Sequence, residues 1–66
     1  MIRLMENRMY IDSFNDVMEI NDHSICFLYP TYKLQVKGKD LKVAAFTRQE
    51  MILFGTFLSL EFIYDN

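Results

Sequence analysis

The chain carries one histidine, His23, and one cysteine, Cys26. Together they are the candidates for a thiolate–imidazole pair, in which the ring takes the thiol proton and the sulfur attacks. That chemistry needs direct hydrogen-bond contact and a third group to orient the base. The polar run Asn21-Asp22-His23-Ser24 reads as a turn, which puts Cys26 second in the following strand. No orienting group follows from the spacing. The cysteine reads as a small buried hydrophobe, and the histidine as a solvated turn residue. The pairs Asp12/Asp16 and Asp22/Asp65 are the carboxylates that could meet in space. Nothing near them signals the apolar pocket that would raise a carboxyl pKa. Gly38-Lys39 has the Gly-Lys pair of a phosphate loop but not the motif, which runs G-x-x-x-x-G-K-[ST] into a helix. Here V-K-G-K-D returns into a strand. No Cys/His cluster offers a metal site. The residues therefore assign no catalytic, cofactor or metal role, and an enzyme is not expected.

Two surfaces remain. Lys33, Lys37, Lys39 and Lys42, with Tyr32 as a stacking residue, would form a shallow anion or nucleic-acid face of the kind small β-barrels use for single strands. Against it, the lysines and aromatics do not interleave, and the net charge is −2. Strand lysines also serve simply to keep edges from aggregating, so nucleic acid is not the expected partner. The second surface is Ile52, Phe54, Phe57 and Ile63. A concentrated exposed apolar patch marks a contact with a partner or a second subunit. The competing reading covers that patch with the chain's own Ile2 and Leu4.

The elements that position these residues follow from the apolar period, which is 2 along nearly the whole chain. β-branched and aromatic residues fill the runs, and Asn, Asp, Pro and Gly punctuate them. The expected fold is all-β: one domain over residues 1–66, an antiparallel meander of about six or seven short strands curled into a small roll or barrel. Two-residue hairpins centred on Gly38-Lys39 and Gly55-Thr56 would pair Val36 with Leu41, Leu34 with Val43, Leu53 with Leu58 and Met51 with Leu60. Glycine suits the positive φ of such a turn. Tyr29-Pro30-Thr31-Tyr32 reads as a turn with Pro30 at its second position, pairing Phe27 with Leu34 and Ile25 with Val36. The turn at residues 21–24 pairs Ile20 with Ile25 and Met18 with Phe27. A turn at Ser13-Phe14-Asn15-Asp16 pairs Ile11 with Met18 and Met9 with Ile20. These registers put one apolar face in every strand, with Leu58, Leu60 and Phe62 among its members. A loop is expected at about residues 47–50. The alternative is a β-roll of stacked parallel rungs, with Leu34 under Met51 and Val36 under Leu53.

Composition bounds the rest. A chain of 66 residues buries only about 60% of its unfolded surface. One cysteine excludes an internal disulfide, and no metal cluster substitutes for it. Oligomerisation is the remaining common source of stability for so small a domain, and a 52% apolar composition agrees with it. Charge falls in blocks, −3 over residues 1–23, +4 over 24–48 and −3 over the rest, which can attract one another within or between chains. Neither a signal peptide nor a run near the ~20 apolar residues of a spanning helix is visible. A soluble, reducing compartment without membrane insertion is expected.

Tyr10-Ile11, "LQVKGKDLKV" at 34–43 and "QEMILFGTFLSLEF" at 49–62 carry a resemblance. With them, residues 8–64 resemble the YabP/YqfC family of small sporulation proteins without gaps. The chain departs at Ser13-Phe14-Asn15-Asp16, where many members have a glycine-containing turn, and at Phe54, where an acidic residue is common. The resemblance implies a role in endospore formation, in the cytoplasm on the mother-cell side. It supplies no catalytic or cofactor residues. Combined with the apolar patch, the expected function is a non-enzymatic assembly or adaptor module, acting by self-association or on a sporulation protein. The alternative is a small β-barrel that binds a polyanion through its lysines.

Overall fold

A computed structural model describes residues 2–64. Six strands form one antiparallel sheet: β1 (Ile2–Met5), β2 (Arg8–Asp12), β3 (Asp16–Ile20), β4 (Ser24–Leu28), β5 (Tyr32–Phe46) and β6 (Glu50–Tyr64). Their order across the sheet is β1-β2-β6-β5-β4-β3. Chain neighbours pair as in a meander except at one place, where β2 joins β6 rather than β3. The all-β antiparallel reading holds, and the sheet curls without closing into a barrel. Parallel rungs do not form, since Leu34 and Val36 pair antiparallel with Phe62 and Leu60.

The glycines are not hairpin corners. β5 and β6 each run 15 residues straight through Gly38 and Gly55, and the reversal between them falls at residues 47–49. There the Thr47 N–H donates to the Glu50 carbonyl at 2.8 Å. The expected loop is at its place; the two hairpins proposed around the glycines are not. Val36 lies opposite Leu60 rather than Leu41, and Leu53 opposite Val43 rather than Leu58. The long β5–β6 ladder is flanked by β4 along Lys33 to Lys37 of β5 and by β2 along Glu50 to Phe54 of β6.

The glycines instead sit together where that ladder bends. Gly38 is paired with Phe57, and the register shifts between Lys37 and Gly38 and again between Lys39 and Lys42. Such bulges kink a strand and sharpen its twist. A Cβ on Gly38 would lie 2.1 Å from the Thr56 carbonyl oxygen, closer than any real contact. Gly55 has φ of +145°, and a Cβ there would meet the Asp40 carbonyl at 2.9 Å. Asp40 has φ of +53°, a left-handed conformation that Asp tolerates better than most residues. Neighbouring turns cap the bend. The β3–β4 turn accepts the Gly38 N–H at the His23 carbonyl (3.1 Å) and the Leu41 N–H at the Asp22 carbonyl (2.8 Å). The β1–β2 turn accepts the Gly55 N–H at the Asn7 carbonyl (3.1 Å).

Bending folds the sheet over itself. Met9 and Ile11 of β2 and Met51 and Leu53 of β6 share one buried cluster with Ile25 and Phe27 of β4 and Leu34 and Val36 of β5. Each fully buried aliphatic or aromatic side chain contributes about 1.5–3 kcal/mol. The β2–β3 connection closes one end of this core. Phe14 is buried and packs on Phe27 with ring centroids 5.0 Å apart, and Ser13 turns with φ of +66°. The expected Ser13-Phe14-Asn15-Asp16 hairpin is therefore a crossing segment. A tight surface turn would have left Phe14 in water. Consequently Met9 and Ile11 pair with Leu53 and Met51, not with Ile20 and Met18.

The middle of the sheet follows expectation more closely. Phe27–Leu34, Ile25–Val36 and Ile20–Ile25 are partners, and Pro30 lies in a turn closed by the Tyr29 N–H on the Tyr32 carbonyl at 2.9 Å. A bulge between Val17 and Glu19 puts Val17, not Met18, opposite Phe27.

Candidate interaction surface

Past Gly55, β6 keeps β5 on one side only. β2 pairs with β6 from Glu50 to Phe54, and among the described residues no strand joins the same edge over residues 56–64. Directly opposed residues of an antiparallel pair share a face. Leu60 opposes Val36, Phe62 opposes Leu34, and Tyr64 opposes Tyr32, so the three point to the core side. Ring contacts agree, with Tyr32 5.6 Å from Phe62, 5.4 Å from Tyr64 and stacked on Tyr29 at 4.8 Å. Yet Leu58, Leu60, Phe62 and Tyr64 are 62%, 36%, 47% and 63% exposed, while Leu34 and Val36 are fully buried. The folded-over half of the sheet reaches β4 and the first half of β5 and stops. The strands flanking them overhang, leaving this row on β6 and Ile20 on β3 in water.

The four patch residues read from the sequence do not share one surface. Ile52 and Phe54 lie on the outer face of β6, beside Tyr10 and Arg8 of β2. The Arg8 guanidinium sits 5.1 Å over the Phe54 ring. Phe57 turns at the bend to pack against the core. Ile63 is on the far side of the bend, opposite Lys33. Ile2 and Leu4 do not lie over the patch, because β1 pairs along β2 with Ile2 beside Ile11 and Leu4 beside Met9. The row at Leu58, Leu60, Phe62 and Tyr64 was legible as apolar and in phase with the core. Its exposure was not, because coverage depends on how far the opposing half extends.

The lysine face also divides. Lys33 and Lys37 alternate with Leu34 and Val36 and so point outward from the first half of β5, with Lys37 beside Ser24 and Ser59. Lys39 is at the bend, and Lys42 lies beyond it opposite Phe54. Tyr32 points the other way, into the aromatic group with Tyr29 and Phe62. The stacking residue and the charges it was to serve are on opposite faces.

The candidate nucleophiles stay apart. The His23 Nδ1 is 3.1 Å from an Asp22 carboxylate oxygen on the surface, while Cys26 is buried in β4 between Glu19 and Gln35. Asn21 fixes their turn, its side-chain oxygen accepting the His23 and Ser24 N–H groups at 3.0 and 2.7 Å. Among the described residues no group of three metal-ligating side chains converges, and no helix is long and apolar enough to cross a membrane. An open cleft of about 240 Å³ lies at the β5–β6 reversal, between Tyr10, Phe46 and Ile52. The Tyr10 hydroxyl there donates to Glu50, which pushes its pKa up to about 12. Burial, with Tyr32 and Asp12 nearby, raises that of Tyr29 to about 12 as well. Both phenols are hydrogen-bond donors held neutral, not bases.

Comparison with protein-family models, with curated proteins and with solved structures yields no match to this chain.

Proposed function

We propose that the chain is a non-enzymatic assembly or adaptor module that acts by protein–protein contact through the second half of β6. One observation carries this reading. An apolar row continuous with the core lies exposed on a strand whose outer edge has no partner among the described residues. Soluble proteins protect long apolar edges with charge, proline or cover, and a row left open marks a docking site. The setting in endospore formation, in the mother-cell cytoplasm, rests on the resemblance to the YabP/YqfC family. The test is a fluorescent fusion in a sporulating bacterium, wild type against Leu58→Ser/Phe62→Ser. The wild type is expected to gather at a discrete structure and the double variant to disperse. A wild type that stays diffuse, or a double variant that gathers equally well, overturns the reading.

A further inference from the structure

We infer that the occupant of this edge is a second copy of the chain, joined β6 to β6 across a two-fold axis at Leu60. The inference rests on the proposed interaction surface and specifies its partner. Antiparallel pairing of one strand with itself is the isologous contact that the commonest oligomers use, and adding a strand to a free edge satisfies its backbone groups.

Three independent features choose the register. Among the described residues the free edge runs over 56–64, from Gly55, whose N–H is taken by Asn7, to Tyr64, opposite the first residue of β5, and its midpoint is residue 60. Centring there uses its whole length. Charge selects the same centre. Glu61 is the only charged residue in residues 56–64. An axis at Glu61 would oppose the two carboxylates, which is destabilising, and an axis at Ser59 would put Glu61 against Phe57. An axis at Leu60 places Glu61 against Ser59. The apolar row gives the third argument. Leu60 then faces its own copy on the core side, and Leu58, at the bulge, faces Phe62. Any register shifted by one residue puts the two apolar rows on opposite faces.

The position of Ser59 allows a test in which folding and association respond with opposite signs. Ser59 is exposed and lies opposite Lys37 within its own chain, but opposite Glu61 of the second copy in the inferred dimer. Ser59→Glu is therefore favoured beside Lys37 in the monomer and opposed by Glu61 in the dimer. Ser59→Lys has the reverse preferences. Sedimentation equilibrium on the full chain should show a wild-type dimer. Ser59→Glu should raise its dissociation constant about two- to thirtyfold, the range that two cross-strand like-charge contacts allow, and Ser59→Lys should lower it. In a Cys26→Ser background, Leu60→Cys should oxidise to a disulfide-linked dimer, since opposed residues fall within disulfide reach. Leu58→Cys alone should not, but should cross-link when mixed with Phe62→Cys. A monomeric wild type overturns the inference, as does a dimer indifferent to the charge at residue 59 or a Leu60→Cys that stays reduced. If the purified wild type is monomeric while the double variant still disperses in cells, the docking surface stands and its partner is another protein.

Discussion

Tyr29 shows how much one residue can report on the closed end of this fold. Its ring is buried, and its hydroxyl donates to the Asp12 carbonyl at 2.8 Å across the β2–β3 crossing. An unfolded tyrosine loses its proton near pH 10, whereas folded Tyr29 and Tyr10 keep theirs to about 12. Between these values the native state holds more protons than the unfolded one, so stability falls as pH rises. Their contribution is complete below about pH 10 and gone above about 12. Urea denaturation across that window should show a falling midpoint in the wild type and a shallower fall in Tyr29→Phe. Phenolate absorbance should lose one late-titrating group in the same variant. A midpoint equally steep in both would mean that Tyr29 titrates as it does in the unfolded chain. At this scale the sequence was legible in part. Pro30 signalled its turn, which the Tyr29 N–H closes on the Tyr32 carbonyl. The destination of Phe14 was not legible, because an aromatic within a polar run looks the same whether the segment turns on the surface or crosses an open core.

At the scale of strands, the bend in β5 and β6 is the feature that local reading turned into something else. A glycine flanked by alternating apolar residues fits a tight hairpin and a bulged strand equally well, since both keep the apolar residues on one face. Only long-range information separates them: the reversal at residues 47–49 leaves each glycine mid-strand, opposite the other strand's bulge. The two models part clearly under mutation. In a type II′ hairpin, Gly38→Ala would cost strain at one turn. In the observed bend it drives a Cβ into the Thr56 backbone, where no side chain can move aside. Gly38→Ala should therefore destabilise by about 2–3 kcal/mol, the upper range for overpacking. Gly55→Ala, strained by its positive φ, should cost about 1–3 kcal/mol. Because small domains are only marginally stable, either loss should appear as a large drop in thermal midpoint. A Gly38→Ala chain that melts like the wild type would argue against the bend. Registers set by short turns, β4 with β5 and most of β3 with β4, were readable because few residues separate the partners. The pairing of β2 with β6 was not, because nearly 40 positions separate Ile11 from Met51.

For the molecule as a whole, the sheet is wider than the half that folds over it. Among the described residues nothing covers the second half of β6, so part of the core face is open there. This open face is the surface that the proposed association would cover. It also separates assembly from polyanion binding by solution behaviour. An apolar contact is strengthened by sulfate, which is excluded from protein surfaces. Binding to phosphate through lysines weakens steeply as salt rises. Any species that binds only the folded chain raises its apparent stability by mass action, and a dimer makes that effect depend on the protein's own concentration. The thermal midpoint of the wild type should therefore rise with concentration, more so in sulfate. That of Leu58→Ser/Phe62→Ser should stay flat, while Ser59→Glu should need higher concentration for the same rise. A concentration-independent wild-type midpoint would place the overhanging row in the service of a different protein, because nothing in the chain's own folding equilibrium would then depend on a second copy.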